Sequence, residues 1–323
     1  MNAGAGAAGA KTMELSLADV AEVAALRIVR DGRFSTLGIL SRNTEAQLCP
    51  FFDRLYVDDL RNNANLAAVI TTASLVREVP NRCAVAVAED PLTAFLDVHR
   101  HVATIDGFYW RHFDTERARD CTIDGSAFVA DRNVRIGPGV VVEPNATILE
   151  RCVIGAGAII RAGAVVGAEG FAVMRHRGRP VNVPHFGGVE IDAGVEIQSG
   201  SVVVRGLFGE VTAIGADTVV GGGCRIGHGV RIGRACRIMP GATICGSTTL
   251  GERVWVAANA TISNSLTIGD DAAVFLGETV TRDVPAGMAA AKGRILPKDR
   301  LLTVTAKVKQ RRRSLRDPRT GRR

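Results

Sequence analysis

The chain has 323 residues, with 36 glycines and only 5% aromatic residues, a composition that suits a solenoid with tight corners better than a core packed with rings. Its net charge of +7 is concentrated at the carboxyl end. Residues 292–323 hold thirteen Lys/Arg and two acids, so residues 1–291 carry −4, which argues against a basic nucleic-acid-binding body. The seven cysteines form no CxxC pair, and neither a signal peptide nor an eighteen-residue apolar run is present. We therefore expect a cytoplasmic protein with reduced thiols and no transmembrane segment.

The first third of the chain predicts a small α/β domain over residues 14–118, after a low-complexity start, residues 1–13, that we expect to be disordered. Ser16–Ala25 combines a serine cap with apolar residues at helical spacing and predicts a helix. Two apolar runs predict buried strands, and a segment that begins with proline predicts a second helix. These three segments are Ala67–Thr71, Cys83–Ala88 and Pro91–Val102.

Residues 119–290 carry an aliphatic residue at nearly every sixth position. This period matches neither a helix, with about 3.6 residues per turn, nor a strand, with a period of two. It is typical of a hexapeptide β-helix, in which three hexads make one triangular coil and residues eighteen apart stack. We therefore predict a mainly β fold, a left-handed parallel β-helix. Its inward residues are Ile136, Val142, Ile148, Ile154, Ile160 and Val166, then Ile191, Ile197 and Val203, then every sixth residue from Ile214 to Val280.

Interruptions of the repeat mark further parts of the chain. The pattern breaks over residues 167–188, and because a solenoid tolerates insertions only as loops at its corners, we expect this excursion to lie over a binding face. A shorter irregularity occupies Arg205–Val211. After Val280 the hexads stop, and residues 291–323 predict a basic C-terminal helix, over 298–316, with a tail.

His228 is the single histidine within the regular hexads. It follows the inward Ile226 by two residues and lies between Gly227 and Gly229, so its side chain is expected to project outward at an accessible corner. A surface histidine is the alternative, but an imidazole near its ordinary pKa suits a general base. One coil further, Gly246 offers its N–H to a developing oxyanion. The pair predicts acyl transfer from a thioester to an amine without a covalent intermediate.

Short motifs in both predicted domains follow the pattern of one enzyme family. In the N-terminal part these are LSLADVAEV, LCPFFDRLYVDDL, AAVIT and DPLTAFL; in the repeat they are GAEGFA, VPHFGGVEI, Arg205-Gly206 and IGHGVRIG. Through them the chain resembles the UDP-3-O-acylglucosamine N-acyltransferases of lipid A synthesis, over about residues 14–300 and with both domains in the family's order. The resemblance places His228 on the family's catalytic histidine.

The resemblance implies a homotrimer with active sites between subunits, a UDP-linked amino sugar as acceptor, and the phosphopantetheine thioester of an acyl carrier protein as donor. In the family an aromatic pair encloses the uracil and an Asn binds its edge. Here these roles fall on Tyr56, Phe51 and Asp53, the last standing where Asn is usual. Further substrate-binding positions implied by the resemblance are Phe171, His185 and Arg205.

The chain also departs from the family near the expected site. The family's Asp-Asn ahead of the histidine is Gly221-Gly222, and its Asp-Arg-Gly-Ala stretch reads Val204–Leu207. A second histidine near the end of the solenoid is replaced around Ser263–Ser265. We therefore expect a divergent member with an altered substrate: a different amino sugar, a different acyl group, or a nucleotide-linked precursor of another surface glycan or natural product.

The basic residues outside the repeat leave the donor open. Carrier proteins present an acidic helix, so the C-terminal helix either docks one or is a solvated tail, and coenzyme A is the alternative donor. The residues assigned to donor docking are Lys307, Lys309, Arg311 and Arg312. In the excursion, Arg175, Arg177 and Arg179 either hold a diphosphate or are solvated.

Two other classes of protein share such a solenoid. A non-catalytic scaffold that binds a nucleotide sugar would keep the fold without turnover. A zinc enzyme of the γ-carbonic-anhydrase type would need His176 and His185 to approach His228. The resemblance implies an enzyme with no bound metal or other cofactor, whose thioester donor is a co-substrate.

Overall fold

A computed structural model describes residues 13–40 and 46–298. The described residues form a small mixed sheet with two helices, followed by a long three-sided solenoid. The expected disordered start, over residues 1–12, and most of the predicted C-terminal helix lie outside the described residues. So do the four basic residues assigned to donor docking, Lys307, Lys309, Arg311 and Arg312.

The N-terminal part is built on a five-stranded sheet. From edge to edge its strands are Arg27–Arg30, Ala84–Val87, Leu66–Thr71, Gln47–Phe51 and Thr36–Leu37. The first pair is antiparallel and the other pairs are parallel. Two α-helices accompany the sheet, α1 (Val57–Asn62) and α2 (Pro91–Val102). The remaining elements are an antiparallel pair, Leu15–Ser16 with Arg33–Phe34, and the 3-10 helices Ala18–Val20, Arg54–Tyr56 and Ala73–Glu78.

Helix α2 has the bounds that its sequence predicts. The Asp90 side chain accepts a hydrogen bond from the Thr93 N–H at 3.1 Å, and Pro91 occupies the first turn, where a missing N–H costs nothing. Its buried Phe95 and Val98 pack into one cluster with apolar residues of the sheet, including Ile70. The helix is thus fixed against the sheet, and its outer residues remain free to contact other elements.

The predicted helix over Ser16–Ala25 is wrong. Ser16 and Asp19 do cap each other, with Ser16 N 2.7 Å from the Asp19 carboxylate and Asp19 N 3.2 Å from the Ser16 hydroxyl. However, the helical turn that follows is a 3-10 helix of only three residues. Turns follow the 3-10 helix, and the segment ends at Ala25, whose φ of 49° is left-handed. The local cap signal was real, but the segment is too short for the helical propensity of its residues to prevail.

The solenoid consists of three parallel sheets that form the sides of a prism, and the left-handed β-helix predicted from the hexads is confirmed. The first sheet contains Phe128–Val129, Thr147–Ile148, Val165–Ala168, Val202–Val204, Arg225–Ile226, Thr243–Ile244, Thr261–Ile262 and Thr279–Val280. The second contains Glu116–Arg117, Val134–Ile136, Cys152–Ile154, Gly188–Ile191, Val211–Ile214, Arg231–Ile232, Thr249–Leu250 and Thr267–Ile268. The third contains Thr122–Ile123, Val141–Val142, Ile159–Ile160, Glu196–Ile197, Val219–Val220, Arg237–Ile238, Trp255–Val256, Ala273–Val274, Met288–Ala291 and Arg294–Pro297.

Within the uninterrupted hexads from Ile214 onward, the register of these sheets is the eighteen-residue stacking that the sequence predicts. Ile226 pairs with Ile244, and Ile244 pairs with Ile262. All three side chains are fully buried in one continuous core along the prism. Each inward position is surrounded by the other two sides of the same coil and by the coils above and below, so only a medium aliphatic side chain fits.

Replacing Ile244 by alanine is expected to lower the free energy of unfolding by about 2–5 kcal/mol, because a cavity would remain between rigid coils. The neighbouring Thr243 points outward from the same strand and is partly exposed, so Thr243→Ala is the matched control, with an effect of about 0.5 kcal/mol or less. Chemical denaturation of both variants measures the difference. Equal effects would mean that the inward face does not carry the stability of the solenoid.

The corners of the prism follow a fixed pattern. At most corners the third residue after the inward aliphatic adopts a left-handed conformation, for example Gly229 at φ 63° and Ser247 at φ 63°. The residue directly after the inward aliphatic lies close to the next coil: a Cβ at Gly227, which follows Ile226, would come within 2.6 Å of the Gly246 nitrogen. The middle residue of the corner, between these two, is therefore free to project a side chain such as that of His228 outward.

The excursion over residues 167–188 forms an antiparallel hairpin of Val173–His176 and Arg179–Asn182 that leaves the solenoid. It rests on α2. His176 Nε2 lies 2.9 Å from the Asp97 carboxylate, and the Arg177 guanidinium lies 3.6 Å from the same side chain. The Arg177 N–H also donates to the Thr93 hydroxyl at 2.9 Å. The hairpin therefore joins the solenoid to the N-terminal sheet and is held in place between them.

The solenoid extends beyond the last regular hexad. Val284 bridges to Ile268, and Met288–Ala291 pairs with Ala273–Val274 at a spacing of sixteen residues rather than eighteen. Val284 is 1% exposed and belongs to the same core. The shorter spacing explains why a strict search for hexads stops at Val280. Arg294–Pro297 then turns back as an antiparallel strand on Met288–Ala291.

Candidate active site

His228 lies in a column of corner residues. Because Val203 pairs with Ile226, and Ile226 with Ile244 and then Ile262, the residues two positions further on stack in the same order. Adjacent strands of a sheet are about 4.8 Å apart, so Arg205 lies one coil before His228, and Gly246 lies one coil after it. The members of this column are Arg205, His228, Gly246 and Asn264.

A cavity of about 470 Å³ opens around the half-buried His228. Gly246 lies against the imidazole: a Cβ on Gly246 would stand only 2.5 Å from His228 Nε2. The opposite wall comes from the excursion through Phe171 and Met174 and from the N-terminal part through Ile39. The cavity therefore forms where three separate parts of the chain meet, and the imidazole faces an open space large enough for a small substrate.

The backbone N–H of Gly246 is suited to bind an anionic oxygen. No hydrogen bond from it is found within the described residues. At equivalent corner positions elsewhere, the same N–H donates to a carboxylate: Ala162 to Glu143 at 3.0 Å, and Glu252 to Asp270 at 2.9 Å. These corners show that the amide N–H at this position points outward and donates to a negatively charged group. The Gly246 N–H occupies the same position next to His228.

A second cavity, of about 460 Å³, lies between the sheet, α2 and the hairpin. Phe52 and Tyr56 line it, with exposed fractions of 48% and 45%. Ile39 and Met174 line both this cavity and the one at His228. The two cavities, the second of which we call the aromatic cavity, therefore adjoin at Ile39 and Met174.

The assignment of Phe51 to the aromatic pair is wrong. Phe51 is the last residue of its strand and is fully buried in the core of the N-terminal part, whereas Phe52 faces the cavity. Every residue of Gln47–Phe51 is buried, since both faces of this strand are covered, so no alternation in the sequence marked which ring points outward. The sequence feature that could have identified the exposed ring is the helix cap at Asp53, because a cap there ends the strand and places Phe52 in the loop.

Asp53 lies in sequence between Phe52 and Tyr56, which line this cavity, and its side chain already has a structural partner. Its carboxylate accepts a hydrogen bond from the Leu55 N–H at 2.9 Å and caps the 3-10 helix Arg54–Tyr56. The helix in turn sets the position of Tyr56. One carboxylate oxygen is therefore used for capping, and the exposed side chain leaves the other accessible.

The remaining residues expected to bind substrate have three different environments. Phe171 is 87% exposed on the rim of the His228 cavity. Arg205 is half-buried, and its Nε donates to the Gly167 carbonyl at 2.8 Å. His185 is fully buried behind the cavity wall, with its ring centroid 5.6 Å from that of His228. Only Phe171 is thus freely available at the surface of the cavity.

Comparisons with known proteins find similarity in part of the solenoid. Residues 133–168 match the family model described as bacterial transferase hexapeptide (six repeats). A segment of 60 residues is 42% identical to the UDP-3-O-acylglucosamine N-acyltransferase of Janthinobacterium sp. (strain Marseille), and the match spans 19% of this chain and 17% of that protein. Residues 133–168 thus carry the hexapeptide repeat of bacterial transferases. The resemblance recognised from the motifs is confirmed at that level.

Solved structures of hexapeptide-repeat transferases are also similar to this chain. For the UDP-N-acetylglucosamine acyltransferase of Bacteroides fragilis the identity is 21%, with a TM-score of 0.41, over 55% of this chain and 72% of that one. For the Arabidopsis UDP-N-acetylglucosamine acyltransferase the identity is 19%, with a TM-score of 0.44, over 59% of this chain and 75% of that one. The fold itself is evident from the strand register of this chain.

Within its described residues the chain does not bring together the three histidines that a zinc site would need. His185 approaches His228, but His176 pairs with Asp97 and lies 3.2 Å from the Arg100 guanidinium on α2. Across residues 13–40 and 46–298, no group of three or more His, Cys, Asp or Glu side chains is arranged to hold a metal ion. The same residues contain no helix long and apolar enough to cross a membrane.

Proposed function

We propose that this protein is an N-acyltransferase that moves an acyl group from a thioester to the amine of a UDP-linked amino sugar. The observation that carries the proposal is the junction of the two cavities at Ile39 and Met174. It connects an aromatic cavity suited to a nucleobase with an imidazole beside an outward-pointing amide. The family resemblance supports the same acceptor class.

The acceptor would bind with its uracil between Phe52 and Tyr56 and its sugar towards the solenoid. Flat rings of this kind stack with a base, and α2 and the hairpin close the cavity around them. The sugar would then pass Met174 and reach the corner of the solenoid at His228. This placement is supported by the two cavities having Ile39 and Met174 in common.

The reaction needs one base and one oxyanion donor. His228 takes a proton from the amino group, whose lone pair attacks the thioester carbonyl carbon. The carbonyl electrons move onto oxygen, and the Gly246 N–H donates a hydrogen bond to the resulting oxyanion. Collapse of this intermediate re-forms the carbonyl and breaks the carbon–sulfur bond. The thiolate leaves and takes up the proton from His228, which restores the neutral imidazole.

The donor is a thioester of an acyl carrier protein or of coenzyme A. Both present the same phosphopantetheine arm and thiol leaving group, so the chemistry at His228 is common to them. The basic C-terminal residues proposed for carrier docking are Lys307, Lys309, Arg311 and Arg312. We further propose a homotrimer and a cytoplasmic location, as the family resemblance implies.

Replacing Phe52 or Tyr56 by alanine is expected to raise the Kd for UDP by about 5- to 100-fold, since stacking of an aromatic side chain on a base contributes about 1–3 kcal/mol. Calorimetric titration with UDP measures the change. Phe128→Ala is the matched control, because Phe128 is 55% exposed on the first sheet of the solenoid and lines neither cavity. Unchanged affinity in both test variants would place the nucleotide elsewhere.

The proposed function is tested by incubation of the purified protein with 2-, 3- and 4-amino UDP-sugars and a set of acyl donors. Acetyl-CoA, longer acyl-CoAs and acyl carrier protein cover the donor classes, and mass spectrometry detects the product. A mass gain of one acyl group on one acceptor supports the proposal and identifies both substrates. Nucleotide-sugar binding without a product for any pair would instead indicate a non-catalytic scaffold.

A further inference from the structure

The segment that returns from the excursion to the solenoid is fixed by two buried imidazoles. His185 Nδ1 lies 3.0 Å from the carbonyl oxygen of Val183, and His99 Nε2, on α2, lies 2.9 Å from that of Pro184. A carbonyl can only accept a hydrogen bond, so each of these nitrogens carries a proton. The hydroxyl of Tyr109 lies 2.9 Å from the other nitrogen of His99. Helix α2 therefore sets the position of the backbone next to His185.

Both imidazoles are held in the neutral form. Their exposed fractions are 0%. Burial lowers the pKa of His185 below its ordinary value and lowers the pKa of His99 to about 4. The charged side chains that influence His185 are those of Glu169, Glu210 and Arg205. At neutral pH, His185 therefore presents an uncharged ring with its proton on Nδ1.

The ring of His185 contacts the ring of His228. The centroids are 5.6 Å apart and the planes are inclined at 74°, an edge-to-face arrangement that aromatic pairs favour. Gly227 and Gly229, on either side of His228, have no side chains that could limit its rotation. Contact with His185 restrains the His228 ring from the side of the returning segment.

Gly170 restrains the same ring from the side of the cavity. A Cβ at Gly170 would lie 2.8 Å from His185 Nε2 and 2.8 Å from Cγ1 of Val204, so a larger residue would displace the His185 ring. Nε2 itself has no hydrogen-bond partner among the described residues. The hydrogen bond from Nδ1 is sufficient to hold the returning segment. The rest of the His185 ring makes the contact with His228.

We propose that His185 is a positioning residue, whose ring is fixed by Val183 and Gly170 and holds the His228 imidazole in the orientation required to take the proton. This inference rests on the proposed acyl transfer. It assigns the excursion a role beyond forming the cavity wall, because the hairpin returns through the residue that orients the base.

Two substitutions test the role of the ring by different routes. His185→Asn keeps an N–H near the position of Nδ1 but removes the ring, whereas Gly170→Ala keeps His185 and displaces its ring. The matched controls are His101→Asn, in the last turn of α2, and Gly125→Ala, where a Cβ meets nothing within 4 Å. Misplacement by about 1 Å can cost about 100-fold in rate, so we expect kcat to fall by about that factor in both test variants. The KM for the acceptor should stay within about twofold, because uniform binding is untouched.

A second readout does not depend on turnover. Carbethoxylation of His228 by diethyl pyrocarbonate, followed by peptide mass spectrometry, should be faster in His185→Asn, because the missing ring exposes one face of the imidazole. Unchanged kcat in both test variants would overturn the proposal, as would a loss of activity that merely follows a loss of folded protein with His228 reactivity unchanged. An inactive wild type would contradict the proposed function alone, since the reactivity of His228 would still report on the ring contact.

Discussion

Replacing His228 by alanine is expected to lower kcat by about 100- to 10,000-fold, the range that general bases contribute, while the KM for the acceptor changes little. The imidazole takes the proton that the amine loses as its lone pair attacks the thioester. His228 lines the cavity at the solenoid corner and does not line the aromatic cavity, where the nucleotide would bind. Steady-state kinetics with saturating donor separate the two parameters.

His101→Ala is the matched control for this substitution, because it removes an imidazole from α2 that lines neither cavity. Its activity should equal that of the wild type. The thermal midpoint of His228→Ala should also stay close to the wild-type value, because the side chain lies at a half-buried corner outside the core. A variant that retains most of its kcat would show that His228 is not the base.

Gly246→Ala is expected to lower kcat by about 100-fold, although the backbone N–H remains. The new Cβ would stand 2.5 Å from His228 Nε2 and 2.8 Å from Cδ2 and Cε1, too close for the ring to keep its place. The φ of Gly246 lies outside the left-handed region, so alanine strains no backbone there. The added methyl group therefore acts on the position of the imidazole and not on the fold.

Gly125→Ala serves as the control here as well, because its Cβ would project into open space. Both variants should unfold at the wild-type temperature, and only Gly246→Ala should lose activity. An active Gly246→Ala enzyme would mean that the ring can move away without consequence, and that the column of His228 and Gly246 does not form the catalytic centre.

The solenoid could be predicted from the sequence because one physical rule governs each hexad. The inward position, as at Ile226, accepts only a medium aliphatic side chain, and this rule repeats along the whole prism. The column of His228 and Gly246 followed from the same arithmetic, since residues eighteen apart must stack. Where the spacing changed to sixteen, as between Val284 and Ile268, the run of hexads recognised in the sequence ended at Val280.

The parts of the site that depend on tertiary contacts could not be predicted. Ile39 and Met174 join the two cavities only because the hairpin lies against α2. The contact of His185 with His228 likewise depends on where the excursion returns. The choice between Phe51 and Phe52 failed because the strand is buried on both faces and carries no alternating pattern. In each case the sequence marked the segment, and packing decided which side chain faces the ligand.

The most direct test of N-acyl transfer at His228 is the mass of the product before and after mild alkaline hydrolysis, for the wild type and for His228→Ala. Transfer to the amine predicts a gain of one acyl group that survives the alkali, because an amide resists conditions that cleave an ester, and that is nearly absent with the variant. A gain that the alkali removes would show transfer to a hydroxyl group instead. A product formed equally well by His228→Ala would contradict the role assigned to this histidine.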